Sequence, residues 1–219
     1  NAGEVIACDS TSVNLFKALL TALTLQKDQP QRNVIISDVD NFPTDLYIAQ
    51  GLRDLLASRN LDLKFVKREA MEATIVEHGA RTAVVMLTQV DYRTGERYDM
   101  RAITALVQAQ GALMLWDLAH STCAFPVELN ACNADLAVGC TYKYVNGGPG
   151  APAFVFAAKR HLDTLDAAGA STRVPWVVGT LSAKTLATTR IAETWIHTGD
   201  VAVGLGVELD DVGGLGAHG

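Results

Sequence analysis

Apolar and polar positions along this chain come in alternating blocks that predict strands and helices in turn. Glu4 to Cys8 reads as a strand, Asp9-Ser10-Thr11-Ser12 supplies N-cap residues, and Val13 to Leu25 has helical spacing through Leu15, Phe16, Leu19, Leu20 and Leu23. The unit then repeats, with Asn33 to Ser37 as strand, Asp40 to Asp45 as loop and cap, and Leu46 to Ser58 as helix. Leu63 to Val66 predicts a short alternating strand, and Ala83 to Leu87 a fully buried one followed by the turn Tyr92-Arg93-Thr94-Gly95. Met100 to Gln110 reads as a helix closed by Gly111, with strands at Ala112 to Trp116, Leu136 to Gly139 and Ala153 to Ala157 beyond it. Continuous aliphatic strands separated by helices predict an α/β fold, a mainly parallel sheet flanked by helices on both faces.

Composition narrows the function classes. With 219 residues, 49% hydrophobic and 19% charged, the chain can bury a substantial core. A net charge of -6 and the lack of any basic run argue against nucleic-acid or anionic-membrane surfaces, which need clustered Lys and Arg. No apolar stretch reaches transmembrane length, and Asn1-Ala2-Gly3-Glu4 does not open a signal peptide, so the expectation is a cytoplasmic protein. Cys8, Cys123, Cys132 and Cys140 form no Cys-x-x-Cys pair and have no His at ligand spacing. They read as reduced thiols, with no metal site.

In a parallel sheet ligands collect where strand C-termini feed helix N-termini. Two residues at such positions have complementary chemistry. Asp117 ends the run Ala112 to Trp116, and Lys143 lies in Thr141-Tyr142-Lys143-Tyr144-Val145-Asn146-Gly147-Gly148-Pro149-Gly150. A pyridoxal ring is an electron sink only while its nitrogen stays protonated, which a buried Asp favours by charge pairing. A lysine closes such a site as the Schiff-base residue. Either residue alone is an ordinary turn or loop residue, so the reading rests on the pair. Ser10, Thr11 and Ser12 open a helix, where free amides and the dipole can hold a phosphate or simply cap the helix. Phe42 stands either as a ring-stacking aromatic or as a hydrophobic staple, with local spacing favouring the staple. Thr88 is a candidate ring or phosphate contact, and His120 is the one histidine in a site-like context.

Four segments resemble kynureninases, in order: Asp9 to Lys17, Asn41 to Tyr47, Trp116 to Ser121 and Gly139 to Gly150. The similarity runs over about Asn1 to Leu162. It implies the large domain of a fold type I pyridoxal phosphate enzyme, with the small domain missing. The implied activity is hydrolysis of L-kynurenine, and in many members its 3-hydroxy derivative, to L-alanine and an anthranilate. That reaction belongs to tryptophan catabolism and NAD biosynthesis, in a homodimer whose sites are completed across the interface. By the same resemblance Lys143 carries the cofactor and removes the substrate's alpha proton, and Asp117 pairs with the pyridine nitrogen. Thr11 and Ser12 hold the phosphate and Phe42 stacks on the ring, while Pro43, Thr44, Asp45, Thr88 and His120 line the cofactor. Tyr142 contacts the phosphate and is placed for proton transfer.

Two positions depart from the family pattern: Cys123 stands where relatives have glycine, and Asp91 where Asn or another neutral residue is expected. Family members are longer at both ends. The expected organisation is therefore a partial cofactor-binding domain over residues 1–165 and a divergent, frameshifted or disordered tail over 166–219. Relatives continue into a Gly-Trp-aromatic-Gly-His element. Codons for Trp176-Val177-Val178-Gly179-Thr180 read one nucleotide later can spell Gly-Trp-Trp-Gly-His, which motivates the frameshift reading; resequencing the source DNA tests it. Alternatives to kynurenine hydrolysis are a cysteine desulfurase, an aminotransferase, or an inactive fragment unable to hold the cofactor. A desulfurase needs a reactive cysteine on a mobile loop, and none of the four has that setting.

Overall fold

The computed structural model describes residues 3–162, 173–176 and 179–182. The chain divides into two compact units, Asn1–Thr164 and Leu165–Gly219. In the second, strands Arg173–Trp176 and Gly179–Ser182 form an antiparallel pair. The frameshift and disorder readings of the tail otherwise fall on residues outside the described ones.

The first unit runs β1 (Val5–Ala7), α1 (Thr11–Leu25), β2 (Val34–Asp38), α2 (Pro43–Leu55), β3 (Asp62–Val66) and α3 (Met71–Glu77). It continues with β4 (Thr82–Thr88), α4 (Met100–Ala109), β5 (Leu113–Asp117), β6 (Leu136–Cys140) and β7 (Ala153–Ala157). The strands make one sheet in the order β1-β7-β6-β5-β4-β2-β3. From β3 to β6 all neighbours are parallel, and β7 pairs antiparallel with both β6 and β1. Alternate residues of the central strands feed two separate cores. Ile36, Val85, Met114 and Trp116 pack with residues of α3 and α4 on one face, while Ile35, Val84, Leu115 and Val138 pack with α1 and α2 on the other. Two-sided burial explains the unbroken aliphatic runs that the sequence shows.

The alternating-unit reading fails at β1, which would have opened a parallel series. It is instead an exposed edge strand, antiparallel to β7, with Val5 and Ile6 about half exposed. Helix α2 begins at Pro43 rather than Leu46, because proline at the first helical position lacks only an amide that would be unpaired there anyway. Helix α3 was not expected at all. Its seven residues bury only Met71, Thr74 and Ile75, too few to show a period. Cys123 has φ 63°, a left-handed conformation that glycine takes without strain, which accounts for the glycine expected there.

Candidate active site

Register brings the chemistry to one edge of the sheet. Strands β2, β4, β5 and β6 end there at Asp38, Thr88, Asp117 and Cys140. Because β7 opposes β6 with Cys140 beside Ala153, and β1 opposes β7, the end of β1 emerges at the same edge. Hydrogen bonds from Cys8 N to Ala153 O and from Ala153 N to Asp9 O, both 2.9 Å, tie the start of α1 to it.

Asp117 is buried, with its Oδ1 accepting from Ala119 N at 2.8 Å. Asp45, in the first turn of α2, is equally buried, and its carboxyl interacts electrostatically with that of Asp117. Burial, and then the neighbouring Asp117, push the Asp45 carboxyl up to about 8, with Lys143 pulling the other way. Burial likewise raises Asp117. Two interacting buried carboxyls resist ionising together, so their titrations are linked. Asp45 Oδ2 has no hydrogen-bond partner among the described residues.

Lys143 Nζ lies 3.0 Å from His120 Nε2. Burial, and then the Lys143 charge, lower the His120 pKa, so the imidazole is neutral at pH 7. An ammonium can only donate, so Lys143 donates to Nε2 and the ring proton sits on Nδ1. That Nδ1 is buried and has no partner among the described residues. Lys143 is carried by a closed loop in which Gly147 N bonds Thr141 O at 2.9 Å and Thr141 Oγ1 donates to Pro152 O at 2.5 Å. A Cβ on Gly147 would come within 2.8 Å of Ala151 Cβ, so only glycine lets this loop close.

Around this centre stand three aromatic rings. Phe42 meets Tyr92 edge-on with centroids 5.3 Å apart, and Tyr92 lies 6.3 Å from the His120 ring. Phe42 is itself the N-cap residue of α2 and is 39% exposed, so the staple reading does not hold: a staple occupies the preceding position. Pro43 and Thr44 complete the first turn of α2. Tyr142 is half exposed, its ring centroid 5.5 Å from Lys143 Nζ, and burial is the first cause of its raised pKa. At α1 the N-cap is Ser10, whose Oγ accepts from Val13 N at 3.3 Å, and the amides of Thr11 and Ser12 are the intrahelically unpaired ones.

Thr88 and Asp117 lie 3.5 Å apart, Lys143 contacts His120, and the Lys143 charge acts on both the Asp45 and Asp117 carboxyls, so these five gather at one edge of the sheet. Thr11 and Ser12 stand at the same edge with no hydrogen bond to these residues. Sequence reasoning missed Tyr92, which it had placed only in a turn, and Asn41, which bonds Thr88. An aromatic four residues past Thr88, at the end of a buried strand, was the available signal for Tyr92.

The set fits a flat, nitrogen-protonated aldehyde: an interacting pair of buried carboxyls for a ring N–H, an amine for the aldehyde, and buried polar atoms on Asp45 and His120 that have no partner among the described residues. The aminotransferase class-V family model matches residues 3–190. A kynureninase from Deinococcus radiodurans is 54% identical over 162 residues, which is 74% of this chain and 37% of the relative. One from Pseudomonas fluorescens is 50% identical over 162 residues, 74% of this chain and 38% of the relative. The chain therefore spans a little over a third of the length of these relatives. Among solved structures, a cysteine desulfurase from Thermococcus onnurineus superposes with TM-score 0.60 at 19% identity, covering 82% of this chain and 45% of that one. An alanine–glyoxylate aminotransferase from Nostoc gives 0.54 at 19% identity, over 75% of this chain and 42% of that one. At that identity the likeness is one of fold.

Proposed function

Because the chain belongs to the aminotransferase class-V family, we propose that its first unit is the pyridoxal phosphate-binding large domain of a kynureninase. In this reading the domain covers residues 1–165 and acts in hydrolysis of L-kynurenine to anthranilate and L-alanine. The observation that carries it is the Lys143–His120 contact beside the Asp45–Asp117 pair. The 50–54% identity to kynureninases directs the choice of substrate.

When bound, pyridoxal phosphate supplies an electron sink next to the substrate's amino group. The chain's own residues then have distinct tasks. The carboxyls of Asp117 and Asp45 hold a proton at the ring nitrogen. The amides of Thr11 and Ser12, at the positive end of α1, bind the phosphate. Phe42 covers a ring face, with Tyr92 bracing it edge-on, and Pro43 and Thr44 set the turn that carries Asp45. Lys143 Nζ removes the proton from the substrate's alpha carbon, and neutral His120 orients that amine by accepting from it. Tyr142, half exposed beside Lys143, is the candidate for a second proton transfer. The working assembly is a cytoplasmic homodimer.

Incubating the chain with pyridoxal phosphate and either L-kynurenine or L-cysteine separates the readings. Kynurenine hydrolysis predicts anthranilate and alanine from the first and no sulfide from the second. Sulfide from cysteine, or a cofactor-loaded chain inert to kynurenine, overturns the substrate assignment.

A further inference from the structure

Asn41 lies in the loop between β2 and α2, is 6% exposed, and has both polar atoms of its side-chain amide engaged. Its Oδ1 accepts from Phe42 N at 2.7 Å and also from the Thr88 hydroxyl. Its Nδ2 donates to Ser37 Oγ at 3.1 Å, and Ser37 Oγ donates in turn to Met86 O at 2.7 Å. The two ends of this chain of bonds are backbone groups with no choice of role. An amide N–H can only donate and a carbonyl can only accept, which settles the orientation of the Asn41 amide and every proton between.

The consequence reaches the carboxyl pair. Thr88 has one hydroxyl proton, and because Asn41 Oδ1 cannot donate, that proton is committed to Asn41. Thr88 Oγ1 also lies 3.5 Å from Asp117 Oδ2, near enough to donate; with its one proton on the closer Asn41 Oδ1, it has only lone pairs left for that oxygen. An oxygen that accepts but does not donate favours a proton on the neighbouring carboxyl over its ionised form.

We propose that Asn41 is a positioning residue that turns the Thr88 hydroxyl into an acceptor and so makes the Asp45–Asp117 pair a stronger holder of a proton. Its use in gripping a protonated ring nitrogen rests on the function proposed above; the hydrogen-bond direction itself does not. The other polar or charged groups acting on the pair are the Ala119 amide, Lys143, Tyr142 and, beyond Lys143, His120. All four are unchanged by the substitutions below.

The test is carbon-13 NMR of the aspartate carboxyls in the cofactor-free full chain, titrated with pH. In Asn41→Ala the Thr88 proton is released to donate to Asp117, and the upper titration midpoint of the pair falls by about one pH unit. In the Thr88→Val background the same substitution leaves the midpoint where Thr88→Val alone has put it, because the mediating hydroxyl is gone. A merely structural role for Asn41 would give shifts that add in the double variant, and additive shifts, or no shift in Asn41→Ala, overturn the proposal. Should Asn41→Ala not fold, Thr88→Val decides: a lowered midpoint supports the acceptor role of Thr88 and an unmoved one refutes it. Pyridoxal phosphate affinity, measured in parallel, should fall with the midpoint. If the midpoint moves while no variant or parent binds the cofactor, the function reading fails and the hydrogen-bond assignment stands.

Discussion

Asp135 is the buried charge on which the end of the sheet opposite the candidate site depends, and replacing it with Asn tests the packing account quantitatively. The residue directly precedes β6 and its side chain is 3% exposed. One oxygen accepts from Met114 N and Gln108 Nε2, each at 2.9 Å, and the other from Arg160 Nη2 at 2.7 Å and His161 Nε2 at 2.8 Å. A carboxamide has only one acceptor oxygen. If it turns that oxygen toward Arg160 and His161, its NH2 confronts the Met114 N–H and the Gln108 amide, leaving two donors in or near the core unpaired. At roughly 1–3 kcal/mol for each such group, Asp135→Asn should lose about 3 kcal/mol at pH 7. Urea denaturation monitored by tryptophan fluorescence reads this. The pH dependence supplies a second check. Burial pushes the Asp135 carboxyl up, but His161, the Met114 amide, Gln108 and Arg160 outweigh it and hold it below the ordinary carboxylate range. A depressed carboxyl contributes its full stability above its unfolded pKa of about 3.9 and loses it as pH falls through the lower folded value. The gap between parent and variant should therefore be constant above about pH 5 and narrow below about pH 4. A loss under about 1 kcal/mol, or a gap that stays constant into acid, would refute the account of this hub.

Three further outcomes follow from the geometry. Asp45→Asn should stabilise the cofactor-free chain at pH 8 by about 2 kcal/mol, since a carboxyl whose folded pKa is raised costs stability as pH climbs above its unfolded value; thermal melts at pH 5 and pH 8 should show the larger gain at the higher pH. The same variant should bind pyridoxal phosphate more weakly by equilibrium dialysis. Gly139→Ala places a Cβ 2.5 Å from Phe154 Cζ across the β6–β7 pair and should destabilise the chain by about 1–3 kcal/mol, with partial recovery when Phe154 is also shortened to Leu. Trp116→Phe removes the indole N–H that donates to Thr104 Oγ1 at 3.0 Å, both groups being buried, and should cost about 1–2 kcal/mol in urea denaturation.

The elements that the sequence made legible are those whose apolar pattern is strong, either as an unbroken run or as a helical stripe. Strands β2, β4, β5 and β6 carry unbroken aliphatic runs because both of their faces are covered, and α1 and α4 show a clear apolar stripe. What escaped was set by tertiary context. The antiparallel placement of β1 depends on pairing with β7, some 150 residues away, and nothing local encodes it. The start of α2 was set by the proline at its first position, against the apolar spacing that pointed to Leu46. At the site, Asp117 and Lys143 were legible because their chemistry is specific and both lie at strand ends. Asn41 was invisible because its significance lies in which way one hydroxyl proton points. Tyr92 reads as a turn residue until the structure brings it between Phe42 and His120.

The central claim, a pyridoxal phosphate site built on Lys143, is tested most directly by trapping. The purified chain is titrated with pyridoxal phosphate while visible absorbance is followed, reduced with borohydride, digested and mapped by mass spectrometry, with Lys143→Ala alongside. The account predicts a saturable visible band and a reduced cofactor adduct on the Lys143 peptide, both lost in the variant. No saturable band, or an adduct on other lysines that persists in Lys143→Ala, would contradict it.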